Sequence, residues 1–115
     1  MLVFAGGALG TALRWAVDAG VDQLGWHVFV ALLIVNVVGS FVLGWLVALP
    51  TSALHIQPLF AIGLLGSFTT FSGYTLAMVE EMDVGSVNAA AAFALGSIIV
   101  GYAAARLGRA TGSVR

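Results

Sequence analysis

Apolar residues fall into four long runs parted by short polar breaks, at about residues 1–20, 28–49, 57–79 and 87–106. Each is close to the ~20 residues that an α-helix needs to cross a hydrocarbon core of about 30 Å. The second run holds no charge and stops at Pro50, whose missing N–H cannot continue a helix. A turn containing Thr51, Ser52, His55 and Pro58 leads to the third, which ends at Glu80, Glu81 and Asp83 with Gly85 behind them. Arg106 and Arg109 close the fourth. The pattern predicts an all-α membrane protein, a single four-helix transmembrane domain over residues 1–115, with no room for a soluble domain between the runs.

Composition sharpens this picture. Hydrophobic side chains make up 61% of the chain and charged ones 8%, against roughly 25% charged in soluble domains. In water such a chain would expose large apolar patches and aggregate. A net charge of −1 gives no electrostatic footing for nucleic acid, and the absence of cysteine removes thiol chemistry. The first run has no basic residues at its start, so it is expected to be a retained helix rather than a cleaved signal. Asp18, Asp22, Glu80, Glu81 and Asp83 lie on one side of the membrane; Arg106, Arg109 and Arg115 lie beyond the last run. The positive-inside rule then predicts a multi-pass plasma (inner) membrane protein with both termini in the cytoplasm.

Few groups are left for intramembrane chemistry. The second, third and fourth runs contain no Asp or Glu before the acidic cluster, and proton-coupled transport usually places a carboxylate in the bundle. Arg14 is the one charge set back from the end of its run, with Asp18 at the interface; it lies near enough that end to snorkel to the headgroups, and reads as a structural anchor. Asn36, Ser40 and Gly44 recur at i, i+4 and i+8 with Gly39 beside them, so they share a helix face. An amide in hydrocarbon costs several kcal/mol unless it finds partners. Two readings of that face stand: helix–helix contact with glycines allowing close approach, or the lining of a polar path.

The third run carries Gly66-Ser67-Phe68-Thr69-Thr70-Phe71-Ser72-Gly73-Tyr74. Glycines, β-branched threonines and serines weaken a helix there, and a mid-membrane break is predicted. The freed backbone groups must be buried in protein or face a cavity or ion, and broken helices are where transporters hold ions with carbonyls. Phe71 and Tyr74 at i, i+3 face one way; their positive ring edges suit an anion, or the rings simply pack. In the fourth run Ala92, Gly96, Ser97, Gly101 and Ala105 follow the small-xxx-small spacing of tight helix contact. Ser97 serves that packing or a polar path. An oligomer is expected.

Three segments together resemble the Fluc/CrcB fluoride channel family: Gly6-Gly7-x-x-Gly10-x-x-x-Arg14-Trp15, Asn36-x-x-Gly39-Ser40-Phe41-x-x-Gly44, and Gly66-Ser67-Phe68-Thr69-Thr70-Phe71-Ser72. The resemblance covers nearly the whole chain. It implies four-span subunits that pair as an antiparallel, dual-topology dimer, with two narrow fluoride paths and a structural Na+ at the dimer interface. The implied activity is passive, fluoride-selective export across the plasma membrane that relieves fluoride toxicity, and not enzymatic. It assigns the Na+ to the carbonyls of Gly66 and Thr69, and an amide N–H of Asn36 to fluoride. Phe71 offers a ring edge; Thr70, Ser72 and Ser97 offer hydroxyls; Ser40, Tyr74 and Phe93 complete the path, with Arg14 structural.

Three positions depart from the family pattern. Tyr74 stands where the second pore aromatic is usually Phe, Gly73 replaces a hydroxyl residue, and Phe93 replaces a frequent Tyr. These changes alter the donors along the path. With the one-sided arginines, they suit one half of a pair of homologous subunits of opposite orientation, alongside the homodimer. Two other classes compete. A small multidrug resistance-type transporter needs a carboxylate within the first span, where only Asp18 near its end is available. A non-transporting membrane scaffold explains the small-residue faces but not the polar break.

Overall fold

Four long helical stretches run up and down in chain order. The computed structural model describes residues 1–50 and 58–113; the connection of residues 51–57, the start of the third run at residue 57, and Arg115 lie outside the described residues. Helix α1 spans Leu2–Gln23 and α2 spans Val28–Val47. A π-helical segment, Pro58–Leu65, passes into a single α-turn, α3 (Gly66–Phe68). After an interruption the chain resumes as α4 (Ser72–Asp83), and α5 covers Val87–Ser113.

Three stretches are long and apolar enough to cross a membrane: Val28–Val47, Leu59–Asp83 and Val87–Ser113. Helix α1 is long enough, but Gly6, Gly7, Gly10, Gly20 and the charges Arg14, Asp18 and Asp22 dilute its apolar content. The four expected spans thus appear as four helical stretches, of which three qualify by length and composition together.

Glycine sets the turns. Gly25 (φ 68°) and Gly85 (φ 87°) adopt the left-handed conformation that costs other L-residues roughly 1–2 kcal/mol. At the first, the Trp26 amide donates to the Val21 carbonyl (3.1 Å) and that of Gly25 to Asp22 (2.9 Å). At the second, Ser86 donates to Glu81 (3.0 Å) and Gly85 to Met82 (2.9 Å). Both are Schellman caps that satisfy last-turn carbonyls and turn the chain sharply. The reversal after α1 leads straight to His27, whose Nδ1 accepts from the Phe29 N–H (3.2 Å) and caps α2. Its Nε2 lies 3.2 Å from Glu81 Oε2, so one imidazole ties the start of α2 to the end of α4. The acidic residues therefore gather at one pole, and Arg106 and Arg109 at the other.

Helix contact is made backbone to backbone. Helix α5 packs chiefly on α2, and α1 on the π-helical segment. A Cβ built on Gly44 would overlap the Ala105 carbonyl, and one on Gly108 the Phe41 carbonyl; on Gly112 it would lie 2.7 Å from the Trp45 oxygen. Gly6 and Gly10 meet the Leu59 and Leu64 carbonyls in the same way. Such approach is open only to glycine. The expected small-residue stripe of α5 is thus used at its end, whereas a Cβ on Gly96 would meet nothing within 4 Å. The buried side chains are few and apolar, Val35 and Ala90 among the deepest, while Phe4, Trp15 and Phe71 are largely exposed. That distribution suits lipid and a further protein surface rather than water.

Candidate functional site

The interruption after α3 begins at Thr69, which turns to an extended conformation (φ −78°, ψ 155°). The Thr69 amide (3.0 Å) and hydroxyl (2.9 Å) both donate back to the Leu65 carbonyl and close the short turn. The next amides leave the helical pattern. Thr70 N–H donates across 34 residues to Asn36 Oδ1 on α2 (3.2 Å), and Gly73 N–H donates to Thr70 Oγ1 (3.0 Å). In a continuous helix those two amides would have bonded the carbonyls of Gly66 and Thr69. Both oxygens are left without a backbone donor among the described residues. These are the two carbonyls to which the family resemblance assigns Na+.

The bond to Thr70 also decides which way Asn36 faces. A backbone N–H needs an acceptor, so the amide oxygen points to it and the NH2 turns away. That NH2 has no acceptor among the described residues. Asn36 borders a cavity of about 520 Å³ between α2, the break and α5. Ser40, Thr69, Thr70, Phe71 and Tyr74 line it, with Gly66 at one wall and Ser97 opposite. Ser97 Oγ is buried with no hydrogen-bond partner, a state that costs about 1–3 kcal/mol unless something else accepts. Asn36 and Ser97 therefore border one space, together with Gly66 and Thr69 of the break.

Ser72 and Arg14 sit elsewhere. A second cavity, about 540 Å³, lies between α1, α2 and α4; Arg14, Asp18, Asp22 and Glu80 line it, with Thr70 and Ser72 at its inner end. Thr70 borders both spaces, and its Oγ1 lies 3.4 Å from Ser72 Oγ. The two hydroxyls thus stand between the acidic pole and the first cavity.

Aromatic rings form a row. Phe71 and Tyr74 lie 6.1 Å apart at 16°, facing one way as their i, i+3 spacing requires. Tyr74 meets Phe93 at 5.2 Å, and Phe93 stacks on Phe29 at 4.0 Å and 5°. Phe93 belongs to this stack and not to the cavity lining. Sequence reasoning missed Phe29 and the wall residue Gly101, whose built Cβ would come 3.7 Å from Ser40 Oγ. Phe29 had a signal: it lies seven residues before Asn36, two turns along the same face.

Residues 1–109 match the family model described as CrcB-like protein, Camphor Resistance (CrcB). The chain is 42% identical over 99 residues to "Fluoride-specific ion channel FluC 1" of Halobacterium salinarum, covering 86% of this chain and 81% of that one. It is 37% identical over 114 residues to "Fluoride-specific ion channel FluC" of Methylobacillus flagellatus, with 94% and 89% covered. The protein of that name from Agrobacterium fabrum is 35% identical over 116 residues, with 96% and 93% covered. The break in the third helical stretch, the Asn36 face on α2 and the glycines of α1 all fall within the matched segment, and the chain belongs to the CrcB-like family.

Proposed function

We propose that this chain is a subunit of a fluoride-selective channel, not an enzyme, through which F⁻ leaves the cell passively and fluoride toxicity is relieved. The hydrogen bond from Thr70 N–H to Asn36 Oδ1 carries the reading, because it engages the oxygen of this cavity-lining residue and leaves its NH2 free to donate. Fluoride is small and strongly hydrated, so a selective path must replace its water with fixed donors at close range, yet hold it weakly enough for release. The Asn36 NH2 is such a donor, with the Ser40 and Thr70 hydroxyls on the same cavity and the unpartnered Ser97 Oγ in its wall; Ser72 joins through Thr70. The Phe71 ring edge adds a weaker positive surface. The relatives named as fluoride-specific channels support the same reading, and neither a drug exchanger nor a scaffold is favoured beside them.

Proteoliposomes loaded with fluoride and chloride test it. Fluoride should leave down its gradient, with the chain alone or co-expressed with a homologous subunit, while chloride stays. Equal chloride release, or release of neither ion, defeats the assignment.

The freed carbonyls of Gly66 and Thr69 fit a hard, singly charged cation, since oxygen ligands suit Na+ and no carboxylate lines their cavity among the described residues. Bound there, Na+ would supply a positive charge offsetting the open carbonyl ends. Two oxygens per chain make an incomplete shell, and the exposure of Gly66 and Phe71 leaves this face open to a second chain. An antiparallel partner, a second copy or a homologous subunit, would complete the shell; lipid would cover the rest. By the positive-inside rule, Arg106 and Arg109 support a reading with the end of α5 on the cytoplasmic side of the plasma membrane. The chain has no native cysteine, so an introduced one is a unique label. Cross-linking across the Phe71 face should give dimers in sodium that fall in sodium-free buffer, and a label beyond α5 should react from the cytoplasm. Sodium-independent monomers contradict the shared ion, and labels reacting only from outside contradict the orientation.

A further inference from the structure

Helix α5 shows one face to the bundle and another to its surroundings. Its buried residues, Ala90, Ala104, Gly108 and Gly112, fall on one side, and the last two glycines meet α2. On the opposite side Leu95, Ile99, Tyr102 and Arg106 follow at intervals of four, three and four, all of them exposed. That stripe ends in a tyrosine–arginine pair. Arg106 Nη1 donates to Tyr102 Oη at 3.2 Å, and the guanidinium carbon stands 6.0 Å from the centre of the Tyr102 ring. Accepting that bond leaves the phenol its own O–H to donate, and the guanidinium keeps its other N–H groups. Arg109, exposed one turn further on, is a like-charged i, i+3 neighbour of Arg106. Helix α5 contains no Asp or Glu, and no carboxylate among the described residues pairs with either arginine.

Depth in the membrane fixes what meets the pair. Arg106 lies 19 residues beyond Val87, the start of α5, which is about 28 Å along the axis at 1.5 Å per residue. A bilayer's hydrocarbon core is about 30 Å thick. With the start of α5 at one interface, Arg106 and Arg109 reach the headgroups of the other, while Leu95 and Ile99 stay among acyl chains. Tyr102 sits just beneath that boundary, where tyrosine is enriched.

We propose that Tyr102, Arg106 and Arg109 bind the phosphate of an anionic phospholipid, one of whose acyl chains lies along Leu95 and Ile99. Charge complementarity selects the lipid. A phosphate oxygen between the two guanidinium groups relieves their mutual repulsion and takes charge-assisted hydrogen bonds, which planar arginine is shaped to give. The Tyr102 hydroxyl adds a donor, and its bond to Arg106 holds the fork in place, so less freedom is lost on binding. A zwitterionic lipid offers the same phosphate with a cationic group attached, which two arginines oppose. Such binding needs only a membrane around the chain and is independent of the fluoride reading.

Native mass spectrometry and thermal melting of the whole chain in detergent test this, with phosphatidylglycerol, phosphatidylcholine or inorganic phosphate added. The wild type should retain phosphatidylglycerol and melt higher with it, and respond little to the other two. Arg106→Gln or Arg109→Gln should weaken phosphatidylglycerol binding about fivefold, the share of one basic residue at an anionic surface; Tyr102→Phe should weaken it less. All three side chains are exposed, so the lipid-free variants should melt like the wild type. Equal retention of both phospholipids by the wild type overturns the proposal. So does unchanged phosphatidylglycerol binding in both glutamine variants, which would put the lipid elsewhere on the chain. A Tyr102→Phe variant that binds as tightly as the wild type overturns it too, since loose attraction to two arginines would then suffice. Inorganic phosphate that raises the melting temperature as much as phosphatidylglycerol would assign these residues to a free anion and end the lipid proposal.

Discussion

Asn36→Asp should stop fluoride conduction while the subunit still folds. The carboxylate has the shape of the amide, and its retained oxygen can still accept from Thr70 N–H, so the tie between α2 and the break survives. What disappears is the free NH2 of a cavity-lining residue, and a negative charge takes its place. Two like charges 4 Å apart at an effective dielectric of ~20 repel by roughly 4 kcal/mol, a slowing of about a thousandfold. Asn36→Leu separates the two roles. It removes donor and acceptor together, leaves Thr70 N–H unsatisfied at a cost of about 1–3 kcal/mol, and should lower the melting temperature as well as the flux. Efflux and thermal melting of both variants decide the matter. An Asn36→Asp channel with wild-type fluoride flux would remove Asn36 from the path.

Much of this site was legible in the chain because its signals are local. The run of Gly, Ser and Thr between Gly66 and Gly73 forecasts a break from propensity alone, and a break occurs between Phe68 and Ser72. The i, i+4, i+8 spacing of Asn36, Ser40 and Gly44 forecasts a common face, and all three lie toward α5 or the cavity. Other features depend on distant partners. Nothing in Pro58–Leu65 asks for π winding; the segment lies against the bare backbone of Gly6 and Gly10 on α1, where the packing is tertiary. The Thr70–Asn36 bond spans 34 residues, and only the folded chain pairs a stray amide with a particular side chain. The Phe93–Phe29 stack is likewise a meeting of two helices, so the sequence showed an aromatic at position 93 but not what it faces. The end of α5 misled for another reason. Arg106 marks the edge of the apolar run, yet the helix continues to Ser113, and two of its close glycine contacts, Gly108 and Gly112, lie beyond that residue.

Those contacts carry the second large effect: Gly108→Ala should disrupt the subunit, whereas Gly96→Ala on the same helix should not. In a helix interior, alanine is otherwise preferred to glycine by roughly 0.5–1 kcal/mol, so Gly96→Ala, whose new methyl meets nothing within 4 Å, should be neutral or mildly stabilising. At Gly108 the new Cβ overlaps the Phe41 carbonyl and comes within 3.0 Å of the Trp45 amide nitrogen. These are backbone atoms of α2 and cannot rotate aside, so α5 must lift away from α2 as a body. Overpacking of this kind costs on the order of 3 kcal/mol or more. The loss reaches the site because the same crossing holds Ser97 of α5 against the cavity face of α2, where Asn36 and Ser40 lie. Purified Gly108→Ala should therefore melt well below wild type and conduct poorly even where it remains helical. Equal melting of the two alanine variants would show that the α2–α5 approach is looser than its glycines imply.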